Sequence, residues 1–107
     1  MAHLRNDEFC LYTGMTPNAT ECFEALEHMR GLGVQFRHLH YGDPSQIPDV
    51  MASLQTWFPG ETLSFPMMVY TECYDYSDPV SRVARAVVGV ANIKATDWNA
   101  LTSFSGA

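Results

Sequence analysis

Near its start the chain passes from an unbroken apolar segment into a turn and then into a helical pattern, an order that commits it to a parallel pair of strands. Phe9-Cys10-Leu11-Tyr12 is continuous rather than alternating, as in a strand covered on both faces, and a strand is predicted over residues 8–13. After Gly14-Met15, Thr16 is placed as a helix N-cap and Pro17 as the first helical residue, where a missing N–H costs nothing. Ala19, Cys22, Phe23, Leu26 and Met29 then recur at helical spacing, with Glu21, Glu24, Glu27 and His28 on the wet side. Gly31 and Gly33 stop this helix, and Val34 to Tyr41 reads as a second strand. Two strands joined by a helix run parallel with a right-handed crossover.

Further along, Ile47, Val50, Met51, Leu54, Trp57 and Phe58 step by three and four, which predicts a second amphipathic helix ended by Pro59-Gly60. Phe65–Cys73 and Arg85–Ile93 are predicted strands, joined without a helix and therefore antiparallel. The connection Tyr74-Asp75-Tyr76-Ser77-Asp78-Pro79 is longer than an ordinary hairpin loop. Thr96-Asp97-Trp98-Asn99-Ala100-Leu101 closes the pattern as a short helix with Thr96 at its N-cap. The predicted order is β-α-β-α-β-β-α: an α/β domain with a four-stranded mixed sheet and helices on both faces. The 107 residues, 47% of them hydrophobic and 17% charged, suffice for one such core over about residues 8–104.

Six basic against twelve acidic residues give a formal charge of −6, so the electrostatic footprint of a nucleic-acid binder is missing. No apolar stretch approaches the roughly 20 residues of a membrane span, and Met1 to Glu8 lacks the apolar core of a signal peptide. A cytoplasmic location is expected. Cys10, Cys22 and Cys73 form no pair at two-residue spacing, and an odd count does not suit a disulfide framework. Asn18-Ala19-Thr20 matches a glycosylation sequon that a cytoplasmic chain does not use. His38 and His40 alternate onto one face of the second strand, where two imidazoles offer metal ligands. With no third ligand at useful spacing, they are read as a solvated face, and no metal is expected.

The turn at Thr16-Pro17-Asn18-Ala19, the proline in Ser64-Phe65-Pro66 and the late pair Thr96-Asp97 together give a layout that resembles the glutaredoxin branch of the thioredoxin superfamily. In that family Cys-Pro-x-Cys occupies the turn. The resemblance implies a thioredoxin-like fold, a cis bond before Pro66, and a ligand groove. That groove would be built from Thr16 and Pro17, from Ser64, Phe65 and Pro66, and from Thr96 and Asp97. A peptide or glutathione would lie there in an extended form, by strand addition to open backbone. The chain departs from the family in having Thr16 and Ala19 for the two cysteines, Ile93-Lys94 for a Gly-Gly pair, and Gly14 near the place of a basic residue. A threonine hydroxyl is not ionised near neutral pH, so thiol–disulfide exchange should be absent. Cys10 and Cys22 are expected to be inert buried thiols.

The expectation is therefore a degenerate glutaredoxin-like module that binds a peptide segment or a glutathione-like molecule, without catalytic residues or a cofactor. Two alternatives stand beside it. One is an oxidoreductase of altered chemistry using Thr16 or Cys73. The other is an assembly protein, with a protein partner or a second copy held through the aromatic loop 70–79, with Trp57 close in sequence.

Overall fold

A computed structural model describes residues 9–15, 18–73 and 82–102. Strand β1 (Phe9–Gly14), helix α1 (Ala19–Gly31) and strand β2 (Phe36–Tyr41) form the expected unit, and β1 and β2 pair in parallel from Phe9 opposite Phe36 to Gly14 opposite Tyr41. A 3-10 turn at Pro44–Gln46, capped by the Asp43 carboxylate on Ser45 N–H at 3.0 Å, leads into α2 (Ile47–Trp57). Strands β3 (Met67–Cys73) and β4 (Arg82–Val88) are antiparallel, and β3 also runs antiparallel to β1. The sheet order is β2-β1-β3-β4, which makes it the mixed four-stranded sheet the sequence predicts.

Side-chain alternation along β1 divides the interior in two. Phe9 and Leu11, both fully buried, face α1 and meet Ala25 and Met29. Each such aliphatic or aromatic side chain contributes about 1.5–3 kcal/mol by leaving water. On the opposite side Tyr12 joins Phe65, Met67 and Leu54 under α2. Helices therefore cover both faces. Among the described residues no helix is long and apolar enough to cross a membrane.

The end of the chain differs from the sequence expectation. Strand β4 stops at Val88, and residues 90–93 belong to a helix, α3 (Val90–Ala95), followed by α4 (Trp98–Thr102). The reason lies in the partner strand: β3 begins at Met67, opposite Val88, so residues past Val88 have no ladder to extend. Gly89 makes the break, with φ 90° and ψ 147°, and its N–H donates to the Pro66 carbonyl at 2.9 Å. Ile93 is thereby carried into the core beside Phe9 and Trp98. That backbone region is essentially restricted to glycine, so Gly89→Ala should cost about 1–3 kcal/mol. No atom crowds the site, so chemical denaturation would read the backbone term alone.

Thr96 does not cap the last helix. It ends α3, its hydroxyl donating to the Asn92 carbonyl at 2.9 Å. The α4 cap is Asp97, whose carboxylate accepts from Ala100 N–H at 3.1 Å. Helix α1 likewise opens two residues later than expected, at Ala19 with Asn18 in the N-cap position. Thr16 and Pro17 lie outside the described residues, as do Tyr74 to Pro79. Phe23 and Trp57, counted with the buried faces of their helices, are 64% and 70% exposed.

Candidate functional site

The turn after β1 and the segment before β3 meet at the same end of the sheet. Gly14 ends β1 against the Phe65 ring: a Cβ on Gly14 would stand 2.9 Å from Phe65 Cδ2 and 3.1 Å from Ile47 Cδ1. Met15 N–H donates to the Tyr41 carbonyl at 3.0 Å, which holds the start of the turn onto β2. Asn18 leaves the α1 amides uncapped by its side chain. Its Nδ2 donates instead to the Phe65 carbonyl at 3.4 Å. Turn and segment thus face each other directly, as the sequence reading requires.

The Phe65–Pro66 peptide bond is cis. Phe65 is buried at 2% exposure, its ring near-parallel to those of Tyr12 and Tyr41 at centroid distances of 6.4 and 6.1 Å. Of the backbone here, the Phe65 carbonyl receives Asn18 and the Pro66 carbonyl receives Gly89. Among the described residues nothing hydrogen-bonds to the Phe65 N–H or to the backbone of Ser64. An open donor and acceptor beside a strand start can receive an extended chain.

Thr96 and Asp97 do not join this group. The Thr96 hydroxyl and Asp97 Oδ1 are taken up by the end of α3 and the start of α4, and among the described residues no hydrogen bond links either residue to Ser64, Phe65 or Pro66. The residue after β4 that reaches the segment is Gly89.

Neither Cys10 nor Cys22 supplies a nucleophile. Cys22 is buried, its thiol donating to the Gly14 carbonyl at 4.0 Å, and burial raises its pKa. Burial also raises that of Cys10, against smaller opposing effects of Tyr12 and Arg37. Both are neutral thiols near pH 7. The side chain of Cys73 lies outside the described residues.

A second constellation was not foreseen. Thr13, 2% exposed, places its hydroxyl 2.7 Å from His38 Nε2 and 2.8 Å from His40 Nδ1. The hydroxyl has one proton, so when it donates to one ring the other must donate to it. Both histidines are exposed, as a solvated strand face requires, and each is in addition hydrogen-bonded to β1 through Thr13. They edge a cavity of about 170 Å3 walled by Met15, Ala19, Cys22, Phe23 and Leu26. Among the described residues no three His, Cys, Asp or Glu side chains gather as a metal site. The parallel β1–β2 register, which sets Thr13 beside His40, is what brings the three side chains together.

Burial, then His40 and Arg30, lower the His38 pKa below 6.5. The folded state thus binds fewer protons than the unfolded one just below pH 6.5, and stability rises with pH through that range. The contribution is complete above pH 6.5 and is lost as the pH falls through the folded value. His38→Gln should flatten this part of the profile, as denaturation midpoints from pH 5 to 7 would show.

Comparison of the chain with protein-family models, with curated proteins and with solved structures finds no match.

Proposed function

We propose that this chain is a redox-inactive, glutaredoxin-like domain of thioredoxin-like fold that binds an extended peptide, glutathione included, against Ser64-Phe65-Pro66. The open Phe65 N–H and Ser64 backbone facing the Asn18 turn carry this reading. The sheet order β2-β1-β3-β4 supports it. So does the raised pKa of the Cys22 thiol, the cysteine nearest the groove. Binding here forms hydrogen bonds and breaks no covalent bond. Thr96 and Asp97 are not part of the proposed groove, because both are engaged in helix ends.

Calorimetric titration with reduced glutathione and with a short extended peptide tests this. Saturable binding with a dissociation constant at or below about 1 mM is expected, together with no reduction of hydroxyethyl disulfide by glutathione. Absence of heat with both ligands removes the proposal, and turnover would restore the oxidoreductase alternative.

A further inference from the structure

The assembly alternative placed an aromatic surface at loop 70–79 with Trp57, but Tyr70 and Trp57 lie on opposite sides of the sheet. Tyr70 is 9% exposed and packs edge-on against Phe9 and Trp98 in the core under α1. Trp57 stands 70% exposed at the end of α2. Two adjoining hollows meet beside it. One, of about 280 Å3, is lined by Tyr12, Tyr41, Val50, Ser53, Leu54 and Trp57. The other, of about 220 Å3, shares Tyr12, Leu54 and Trp57 and continues to Phe58, Val69 and Ala84.

Among the described residues no charged side chain lines either hollow. An occupant is therefore uncharged where it docks. The polar atoms offered are the Tyr41 phenol, the Ser53 hydroxyl and the Trp57 indole N–H, each able to donate to a carbonyl, while the Tyr12 phenol is already hydrogen-bonded to Cys10. Burial is the main cause that pushes the Tyr12 phenol up to about 12, so it remains a donor across the physiological range. The rings of Tyr12 and Tyr41 lie 7° from parallel, 6.5 Å apart. Parallel faces cannot enclose an organic cation from several sides, as an aromatic cage does. They form a ridged floor instead.

Among the described side chains, charge stands at the two ends of the cleft. Asp49 stands one helical turn before Ser53 on α2, on the same side of the helix. Arg37 pairs with Cys10 in the parallel register and so shares the sheet face of Tyr12.

We infer that this cleft binds a proline-rich segment in the polyproline II conformation, with a basic residue at the Asp49 end and an uncharged or acidic one toward Arg37. Such a segment has no internal hydrogen bonds, so its carbonyls are free acceptors, and it repeats one face every three residues, about 9 Å. Prolines docked between aromatic ridges lose little entropy on binding. The opposed end charges fix the direction of the segment, and the chain's formal charge of −6 favours a basic partner.

The test is calorimetric titration of the full chain with a synthetic peptide of Pro-Pro-Leu repeats carrying one terminal arginine. Saturable binding below about 1 mM is expected. Trp57→Ala, which alters an exposed residue and leaves the core intact, should weaken it at least about tenfold, as for a Trp anchor. Asp49→Asn should weaken the arginine peptide a few-fold and leave an alanine-ended peptide unchanged. Glutathione titration should be the same in both variants, which keeps this cleft distinct from the Phe65-Pro66 groove. No saturation at 1 mM, or Trp57→Ala binding as before, overturns the inference. So does tetramethylammonium competing for the cleft, or Trp57-dependent self-association, which would assign the face to a second copy.

Discussion

Trp98→Ala is expected to bring the domain close to unfolding. Trp98 is 1% exposed and joins α4 to the sheet, its ring edge-on to Phe9 at 5.2 Å and to Tyr70 at 5.7 Å. Its indole N–H donates to the Ile93 carbonyl at 2.8 Å, which ties α4 back onto α3. Truncating such a side chain removes its transfer energy and leaves a cavity, together about 3–5 kcal/mol. A domain of this size holds about 5–15 kcal/mol in total. At about 4–8 °C per kcal/mol, the melting temperature should fall by well over 10 °C. Trp98→Phe should cost less, because most of the ring volume stays and the Ile93 carbonyl still receives Thr96 N–H at 3.4 Å. A loss below about 1 kcal/mol for the alanine variant would be too small for a core side chain and would mean that α4 does not pack as described.

Gly14→Ala should be the most damaging small change near the groove. The added carbon meets the Phe65 ring at 2.9 and 3.0 Å, closer than van der Waals contact allows. A flexible side chain would yield, but this ring lies against Tyr12 and Tyr41 at interplanar angles of 17° and 12°. Displacement therefore passes into the Phe65-Pro66 backbone that forms the groove wall. Overpacking of this kind costs about 1–3 kcal/mol. Glutathione affinity should fall along with stability, by about tenfold if the wall shift costs ~1.4 kcal/mol of binding. Gly14→Val should be worse on both counts. A variant that lost stability but kept its affinity would place the ligand elsewhere.

Most of the fold was legible because its long elements carry unambiguous periods. The helix over 19–31 and the strand before it follow from the spacing of Cys22, Leu26 and Met29 and from the unbroken run at Phe9. The β4–α3 boundary was not legible in the same way. Val87, Val88, Val90 and Ile93 form one β-branched stretch, and short apolar runs do not separate a strand from a helix. Only Gly89 marked the break, and its meaning depends on where β3 begins. Sequence alone does not separate Thr96 from Asp97 as the helix cap, because both side chains can cap and two helices adjoin there. Phe23 and Trp57 stand exposed although their spacing matches the buried faces, since spacing alone does not say how much of a face the sheet covers.

The candidate site divides in the same manner. Facing of the turn and Phe65-Pro66 was an expectation of the family resemblance, not of the local pattern. The Asn18 amide on the Phe65 carbonyl and the Thr13 hydroxyl between two imidazoles depend on contacts spanning 47 and 25 residues or more. Local pattern does not encode such contacts.

The groove claim is tested most directly by an isotope-labelled NMR titration with reduced glutathione. The amides of Gly14, Met15, Asn18, Ser64 and Phe65 should shift together and saturate, while those of Asp97 and the α2 cleft stay in place. Spectra unchanged up to about 10 mM ligand, well beyond the weakest specific affinity expected, or shifts centred on Asp97, would contradict it.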